Sequence, residues 1–246
     1  MSNNAVAFIE SVKLPTIEHQ MFIEAPELNL DKLPQGVVSG NTLIDYSAAP
    51  LEVRGGLSLA MTFANQAARA EMKPGDDDDD FFAAYMTNLA KLGFNVSQAA
   101  HTKSTFKKRD ILVHRAIIPF LTIALGGATV GPVILALLEN LQEINKDQPW
   151  ITLYDRETRQ FNTRELNFAA VSSDAVECRI RHVSARLKVV DDKINILFFK
   201  IDDSSAEFES ATTTISVNNA LLGVLEKPLL DRLAATAFEN IMAAGN

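Results

Sequence analysis

Five consecutive aspartates, Asp76–Asp80, are the densest set of metal-ligating side chains in this chain of 246 residues. Calcium is the cation such a run would suit, but the loop grammar fails. Counting from Asp76, position six is Phe81 instead of glycine and position twelve is Thr87 instead of glutamate. A helix is expected directly after the run, where carboxylates cap free N–H groups and complement the helix macrodipole. The run reads as a solvated helix cap, with a weak cation or a basic partner as the competing use. GGATVGPV has the G-x-x-x-x-G spacing of a phosphate loop in Gly126 and Gly131, yet Pro132 and Val133 stand where the lysine and the hydroxyl residue should follow. These glycines are expected to make a turn between helices.

Nucleophilic and metal chemistry find no frame either. Ser39 in VVSGN lacks the G-x-S-x-G turn that exposes a catalytic serine. His19, His101, His114 and His182 lie far apart, without H-E-x-x-H spacing or a Cys-x-x-Cys pair, so no catalytic residue and no metal site is assigned. His114, three residues from both Ile111 and Ile117, is expected half-buried on a helix. Cys178 is the single cysteine, so no internal disulfide forms. In AVECRIRHV, strand alternation puts Val176, Cys178 and Ile180 on one face and Glu177, Arg179 and Arg181 on the other, which turns the thiol inward. The plain reading of Cys178 is a small buried hydrophobe. The sharper reading is a thioester-linked acyl chain in an apolar cavity, whose burial would contribute about 0.8 kcal/mol per methylene.

Composition and patterning define the elements that would position these residues. At 47% hydrophobic and 22% charged, the chain is globular in composition. Its net charge of −8 gives no basic footprint of the kind duplex nucleic acid requires, so nucleic acid is not an expected partner. MSNNAVAFIESVKLP lacks the basic and apolar regions of a secretory signal. The expected location is the cytoplasm of the producing cell, with any release by a route other than classical export.

Residues 1–50, punctuated by Pro15, Pro26, Pro34, Gly36, Gly40 and Pro50, read as an irregular arm packed on a core. Residues 51–145 are helical in pattern. Leu57, Met61, Ala64 and Ala68 follow helical spacing up to Pro74 and Gly75, and FFAAYMTNLAKL forms a further helix that Gly93 ends. From Trp150 to residue 218 the period changes to two, in WITLYD, TRELNFAAV, AVECRIRHVSARLKVV, KINILFFKI and SAEFESATTTISV, an antiparallel β-meander. Residues 219–246 read as a C-terminal helix that Pro228 interrupts near Glu226–Lys227. The fold class is α+β in a single domain, a helical layer with an apolar helical hairpin packed on the meander, closed by the terminal helix.

This layout, with the inward cysteine of AVECRIRHV, resembles the Evf virulence-factor family. The resemblance implies a compact α/β protein from bacteria that colonise insect guts, with no established enzymatic activity and with a palmitoylated cysteine whose lipid fills an internal cavity. Only Cys178 carries over, as the candidate acyl site, and covalent palmitate would be the sole cofactor.

The stretch AIIPFLTIALGGATVGPVILALL, residues 116–138, holds 23 residues without a charge, and the preceding flank 101–115 has five Lys or Arg against one Asp. Length and flank both permit bilayer insertion. Gly126-Gly127 and Gly131-Pro132 divide the stretch into pieces of about ten residues, each near 15 Å long and half a bilayer deep. The first reading is the structural centre of a helical layer, the second a conditional membrane contact, the third a resident transmembrane helix. Under the second, Ile117, Phe120, Leu121, Leu125, Val133 and Leu137 are the candidate membrane-contact residues. The expected function is that of a non-enzymatic bacterial virulence or toxin-like protein acting by binding, associated with lipid or a membrane surface through an acylated Cys178. The alternative is a structural or self-assembling protein, a homo-oligomer without membrane activity.

Overall fold

A computed structural model describes residues 2–15, 29–97, 100–106, 111–125, 131–158, 164–188, 196–198, 200–201, 206–233 and 239–244. The chain opens on helix α1 (Ser2–Ser11), the strands β1 (Gly36–Ser39) and β2 (Thr42–Ala48), and the helices α2 (Leu51–Glu71) and α3 (Asp78–Lys91). Short strands β3 (Asn95–Val96), β4 (Ala100–Phe106) and β5 (Ile111–Leu112) lead to helices α4 (Val113–Ala124), α5 (Pro132–Glu139) and α6 (Pro149–Glu157). Strands β6 (Arg164–Ser173), β7 (Glu177–Lys188), β8 (Lys200–Ile201) and β9 (Ala206–Asn218) follow, then helix α7 (Asn219–Leu233) and strand β10 (Ile241–Ala243).

The main sheet runs β10-β1-β2-β6-β7-β9-β3, with β4 also paired to β9, while β5 and β8 pair separately. Its neighbours are antiparallel except β2 and β6, whose parallel register runs from Thr42 opposite Asn167 to Ala48 opposite Ser172. Helices α1, α2, α3 and α7 cover one face, over Ile44, Tyr46, Ala169, Cys178 and Ile180. Helices α4, α5 and α6 cover the other, over Leu43, Phe168, Ala170 and Val183. The architecture is α+β in three layers, where the sequence pattern implied two. The meander expected from period two exists as β6, β7 and β9, and strands from the supposed arm extend it.

Helix α2 is buried continuously from Gly55 to Ala68 because it lies between the sheet and α7. Gly56 permits that approach: a Cβ there would stand 3.1 Å from the Leu222 carbonyl oxygen. The sheet-facing polar groups of α2 are paired. Ser39 Oγ donates to the Ser58 carbonyl at 2.8 Å and lies 2.7 Å from Thr62 Oγ1, and the Tyr46 hydroxyl lies 2.8 Å from Ser58 Oγ. At the head of α3, the Asp77 carboxylate accepts from the N–H groups of Asp79 and Asp80, and the Asp80 carboxylate accepts from the Asp77 N–H. The aspartate run is a helix cap, with the helix starting inside it rather than after it. Gly93 follows the C-cap with φ 95°, the left-handed conformation its position implied.

Several local expectations are corrected. The arm of residues 1–50 contains α1 and a tight β1–β2 hairpin turning at Gly40, where φ is 56°. WITLYD is helical, because Pro149 starts α6 and Trp150, Ile151, Leu153 and Tyr154 all bury at helical spacing. KINILFFKI is no continuous strand: Ile196–Phe198 is a 3-10 turn, and among the described residues of this segment Lys200–Ile201 is the extended part. Helix α7 continues through Pro228, because Leu222, Leu225, Leu229 and Leu233 bury as one stripe, and Val224, whose carbonyl loses its partner, is exposed to water. The helix expected over 219–246 ends at Leu233 among the described residues. Ile241–Ala243 forms the edge strand β10 against β1, with Ile241 and Met242 buried on opposite faces of the sheet. The Gly126-Gly127 turn and most of the expected arm around Pro26 lie outside the described residues.

Gly36 holds the β1–β10 edge, since a Cβ there would meet the Ala244 backbone oxygen at 2.5 Å. Gly36→Ala is expected to lower stability by about 1–3 kcal/mol in urea unfolding. An unchanged midpoint would remove this close approach as a constraint.

Candidate functional site

The charge-free stretch forms a helical hairpin with two apolar faces. Ile117, Leu121 and Leu125 recur every four residues along α4 and point into the core with Ile134 and Leu138 of α5. On the other side, Ile118, Phe120, Ala124, Leu135 and Leu137 are only partly buried, and Ile123 is 81% exposed. Three candidate membrane-contact residues, Ile117, Leu121 and Leu125, are therefore buried in the closed fold, while Phe120, Val133 and Leu137 sit half-buried at its surface. Ile123 was missed by the spacing argument. Its signal was the absence of charge from Ala116 to Leu138, where a surface helix normally carries charged residues opposite the buried stripe. Among the described residues, no helix is long and apolar enough to cross a membrane.

The start of α5 is pinned to the sheet. Gly131 is the N-cap of α5 with φ 77°, and Pro132 occupies the first turn. The Asp45 carboxylate on β2 accepts from the Val133 N–H at 2.6 Å and the Ile134 N–H at 3.4 Å, and its other oxygen accepts from the Ser47 N–H at 2.7 Å. Asp45 thus takes the helix terminus that a phosphate-loop ligand would use. Between α5, the approach to α6 and the β1–β10 edge runs a groove of about 900 Å³. Val133, Leu137, Ile144, Trp150 and Ala244 give it an apolar lining, and Asn140 and Gln148 add amide groups. Its size and mixed lining suit a small amphipathic ligand.

Cys178 faces the opposite layer. It is fully buried, across from Val217 on β9 and Ser173 on β6. Burial, reinforced by the Glu177 charge, pushes its thiol up to about 12, so at neutral pH it is a protonated core side chain. Arg179 and Arg181 lie on the other face of the strand, as alternation implied, and Arg179 pairs with Asp174 and Glu177 instead.

Further along the Cys178 face of β7 the sheet becomes polar beneath α3. His182 is buried against the rings of Phe82 and Tyr85, at 5.8 and 6.0 Å between centroids. Both of its nitrogens lack a hydrogen-bond partner among the described residues, as do Thr213 Oγ1 across the strand pair and Asn88 Nδ2 on α3. Burial holds the imidazole down to about 4. Nearby, burial raises Glu165 while Arg186 opposes the rise, and Arg186 also pairs with Asp79 at 2.7 Å. His114, expected half-buried, is fully buried, with Nδ1 2.6 Å from the Leu197 carbonyl oxygen.

No known family model matches the chain, and no curated relative does. Among solved structures, one described as a delta-endotoxin is similar at 14% identity and a TM-score of 0.39, over 84% of this chain and 91% of its own. Another, described as "Structure of the Evf virulence factor", is similar at 12% identity and a TM-score of 0.39, over 94% of this chain and 88% of its own. Both are distant similarities of fold.

Two predictions follow from the burial of these groups. Since His182 is held near 4 against an ordinary 6.5, the folded state binds fewer protons than the unfolded chain between these values. Its contribution is intact above about pH 6.5 and is lost as pH falls towards 4, a difference of roughly 3 kcal/mol. Glu165, raised by burial, acts in the opposite sense, its contribution present at low pH and lost as pH rises through its folded value. Comparison with His182→Gln isolates the imidazole: wild-type urea stability should fall more steeply between pH 6.5 and 4.5, and equal slopes would exclude it as the source. Cys178 should react with a chromogenic disulfide reagent at pH 8 on the order of a hundredfold more slowly in the native protein than in guanidinium. Equal rates would show that the thiol is open.

Proposed function

We propose that the protein is a non-enzymatic, toxin-like binding protein whose α4–α5 hairpin engages a lipid membrane surface. The observation that carries this reading is the outward face of the hairpin. Ile123 stands 81% exposed, and partly buried Ile118, Phe120, Leu135 and Leu137 belong to the same two helices, with no charged residue from Ala116 to Leu138. Apolar surface of this kind is favourable only when something other than water covers it. Helices of this length lie in the interfacial region rather than spanning it, since α4 is roughly 18 Å long and α5 roughly 12 Å. A delta-endotoxin and a virulence factor, the two structural neighbours, carry names of the same functional class, but the reading rests on the hairpin and not on them.

The lipid contact is assigned to the hairpin in preference to an acyl group on Cys178. A protonated, fully buried thiol is a poor acyl acceptor, and acylation would require the α2–α3 layer to open first. Intact-mass measurement separates the two: a hydroxylamine-sensitive increment of one fatty acyl group would move the contact to Cys178.

Vesicle flotation tests the hairpin directly. The wild type is expected to float with phospholipid vesicles, and Ile123→Asp to reduce partition by roughly tenfold, since burying an isoleucine contributes ~1.5–3 kcal/mol. Ile123 is exposed, so the substitution should leave the unfolding midpoint in place. Wild-type protein that stays in the aqueous fraction would overturn the reading. Light scattering over a concentration series covers the alternative, because association that Ile123→Asp abolishes in the absence of lipid would assign the face to a second copy of the chain.

A further inference from the structure

Among the described residues the hairpin layer covers only part of its sheet face, and beyond the start of α5 that face is polar. On β7, Arg181 sits between Ala170 of β6 and Thr214 of β9, and Arg179 sits between Ser172 and Ser216. Arg181, Ser172 and Thr214 are exposed. Arg179 is engaged at the rim by Glu177 at 2.9 Å and Asp174 at 3.5 Å, whereas Arg181 makes no ion pair with any described residue. These side chains line a cleft of about 310 Å³, with Ser47 and Asp45 on the β2 side and Gly131 at its end.

The chemistry of this cleft is directional. Ala170, without a long side chain, lies between Arg181 and the Asp45 position on β2, so the strand pairing separates the two charges by a small residue. The Asp45 carboxylate is occupied by three backbone N–H groups and faces the positive terminus of α5. Arg181 keeps its guanidinium fork available, and the hydroxyls of Ser172 and Thr214 stand on the strands either side of β7. A planar fork with hydroxyl donors around it suits a tetrahedral oxyanion with several acceptor oxygens. In a chain of net charge −8, Arg181 is an exposed cation in this cleft with no ion-pair partner among the described residues.

We propose that this cleft binds the phosphate of a phospholipid headgroup, with Arg181 as the primary ligand, Arg179 as the second charge, and Ser172 and Thr214 as hydroxyl donors. The location favours a lipid over a soluble phosphate ester. Gly131 lines the cleft and sits against Leu125, whose Cδ1 would be 2.7 Å from a Cβ at Gly131, and Leu125 is the C-cap of the helix that exposes Ile123. The C-terminal end of α4 and the cationic cleft are therefore adjacent, the arrangement that meets acyl chains and phosphates at one interface. The inference rests on the hairpin reading for its lipid and on the arginines for its phosphate.

The test uses the full chain with two probes, soluble glycerol 3-phosphate followed by NMR titration, and phosphatidylcholine vesicles with and without phosphatidic acid followed by flotation. Arg181→Gln, the double variant Arg179→Gln with Arg181→Gln, Arg181→Lys and Ile123→Asp are compared, each with its thermal unfolding curve. Vesicle partition should rise with phosphatidic acid and fall roughly 25-fold in the double variant, since each arginine near an anionic surface contributes about fivefold. Arg181→Lys should be intermediate, because it keeps the charge and loses the fork. Weak glycerol phosphate binding, where seen, should vanish in Arg181→Gln and persist in Ile123→Asp. Partition that is unchanged in the double variant overturns the cleft while leaving the hairpin reading intact. Partition that needs Arg181 but not Ile123 keeps the cleft and removes the hairpin. Soluble phosphate binding through Arg181 without any vesicle partition overturns the assignment to lipid.

Discussion

The parallel pairing of β2 with β6 is the constraint on which the rest of the molecule depends. Two strands separated by more than a hundred residues lie side by side, so the whole helical middle must pass from one end of the sheet to the other. Parallel neighbours cannot be joined by a tight turn and need a crossover. Here the crossover contains α2 and α3 on one face and α4, α5 and α6 on the other, which is why the sheet is covered on both sides. Strand β2 serves both layers at once. Ile44 and Tyr46 enter the core under α2, and Leu43 enters the core under the hairpin, while Asp45 caps α5 from the same side. A shift of β2 by one residue would exchange these roles, turning the Asp45 carboxylate towards α2 and the Tyr46 ring towards the hairpin.

The polar groups this packing buries are treated unequally. Beside β1 and β2, the hydroxyls of Ser39, Ser58, Thr62 and Tyr46 satisfy one another, so α2 is fixed in rotation and depth. At the sheet edge, Glu157 of α6 accepts from both Arg69 of α2 and Arg156, a buried carboxylate that joins helices of opposite layers. An ion pair of this kind specifies geometry more than it adds stability, because desolvation offsets much of the attraction. Under α3 the accounting is different, for His182, Thr213 and Asn88 all carry polar atoms without partners. Each such atom costs free energy, so α3 is held by its apolar contacts, its cap and the Asp79–Arg186 pair against a polar floor that favours hydration. The layer above Cys178 therefore opens more easily at its α3 end than at α2.

Legibility in the sequence followed the range of the interactions. Helices α2 and α3 were readable because their stripes and stop signals are local: Leu57, Met61, Ala64 and Ala68, then Asp77 and Gly93. Strands β6, β7 and β9 were readable because each alternates and consecutive ones pair. The inward direction of Cys178 and the outward direction of Arg179 and Arg181 followed from alternation alone. What stayed hidden depends on distant partners. Ile241 and Met242 become a strand only because β1 offers an edge, and Pro228 stays inside α7 only because four leucines bury around it. Trp150–Tyr154 satisfied both periods over its short length, and tertiary packing chose the helix. Of the candidate site, the hairpin was legible and its orientation was not, since a segment apolar on all sides does not announce which side faces the core.

That two-sidedness bears on what the hairpin is for. Filling the core beneath α4 and α5 takes Ile117, Leu121, Leu125, Ile134 and Leu138, a single stripe along each helix. A helix that only covered a sheet would carry polar residues behind that stripe, as α3 does with Asp79, Asp80, Thr87 and Lys91. In α4 and α5 the positions behind the stripe are Ile118, Phe120, Ile123, Leu135 and Leu137 instead. Ile118, Phe120, Leu135 and Leu137 pack partly against the core from its outer side, and Ile123 sits in water. The core accounts for the buried stripe, and an apolar surface beyond the chain is what the proposed membrane contact would supply for Ile123. The same stretch holds its place through one carboxylate, Asp45, and two left-over termini at Leu125 and Gly131. A hairpin fastened at the start of α5 and apolar on its free side keeps its fold while presenting that side outward, so the membrane contact proposed for it would need no unfolding of the sheet beneath.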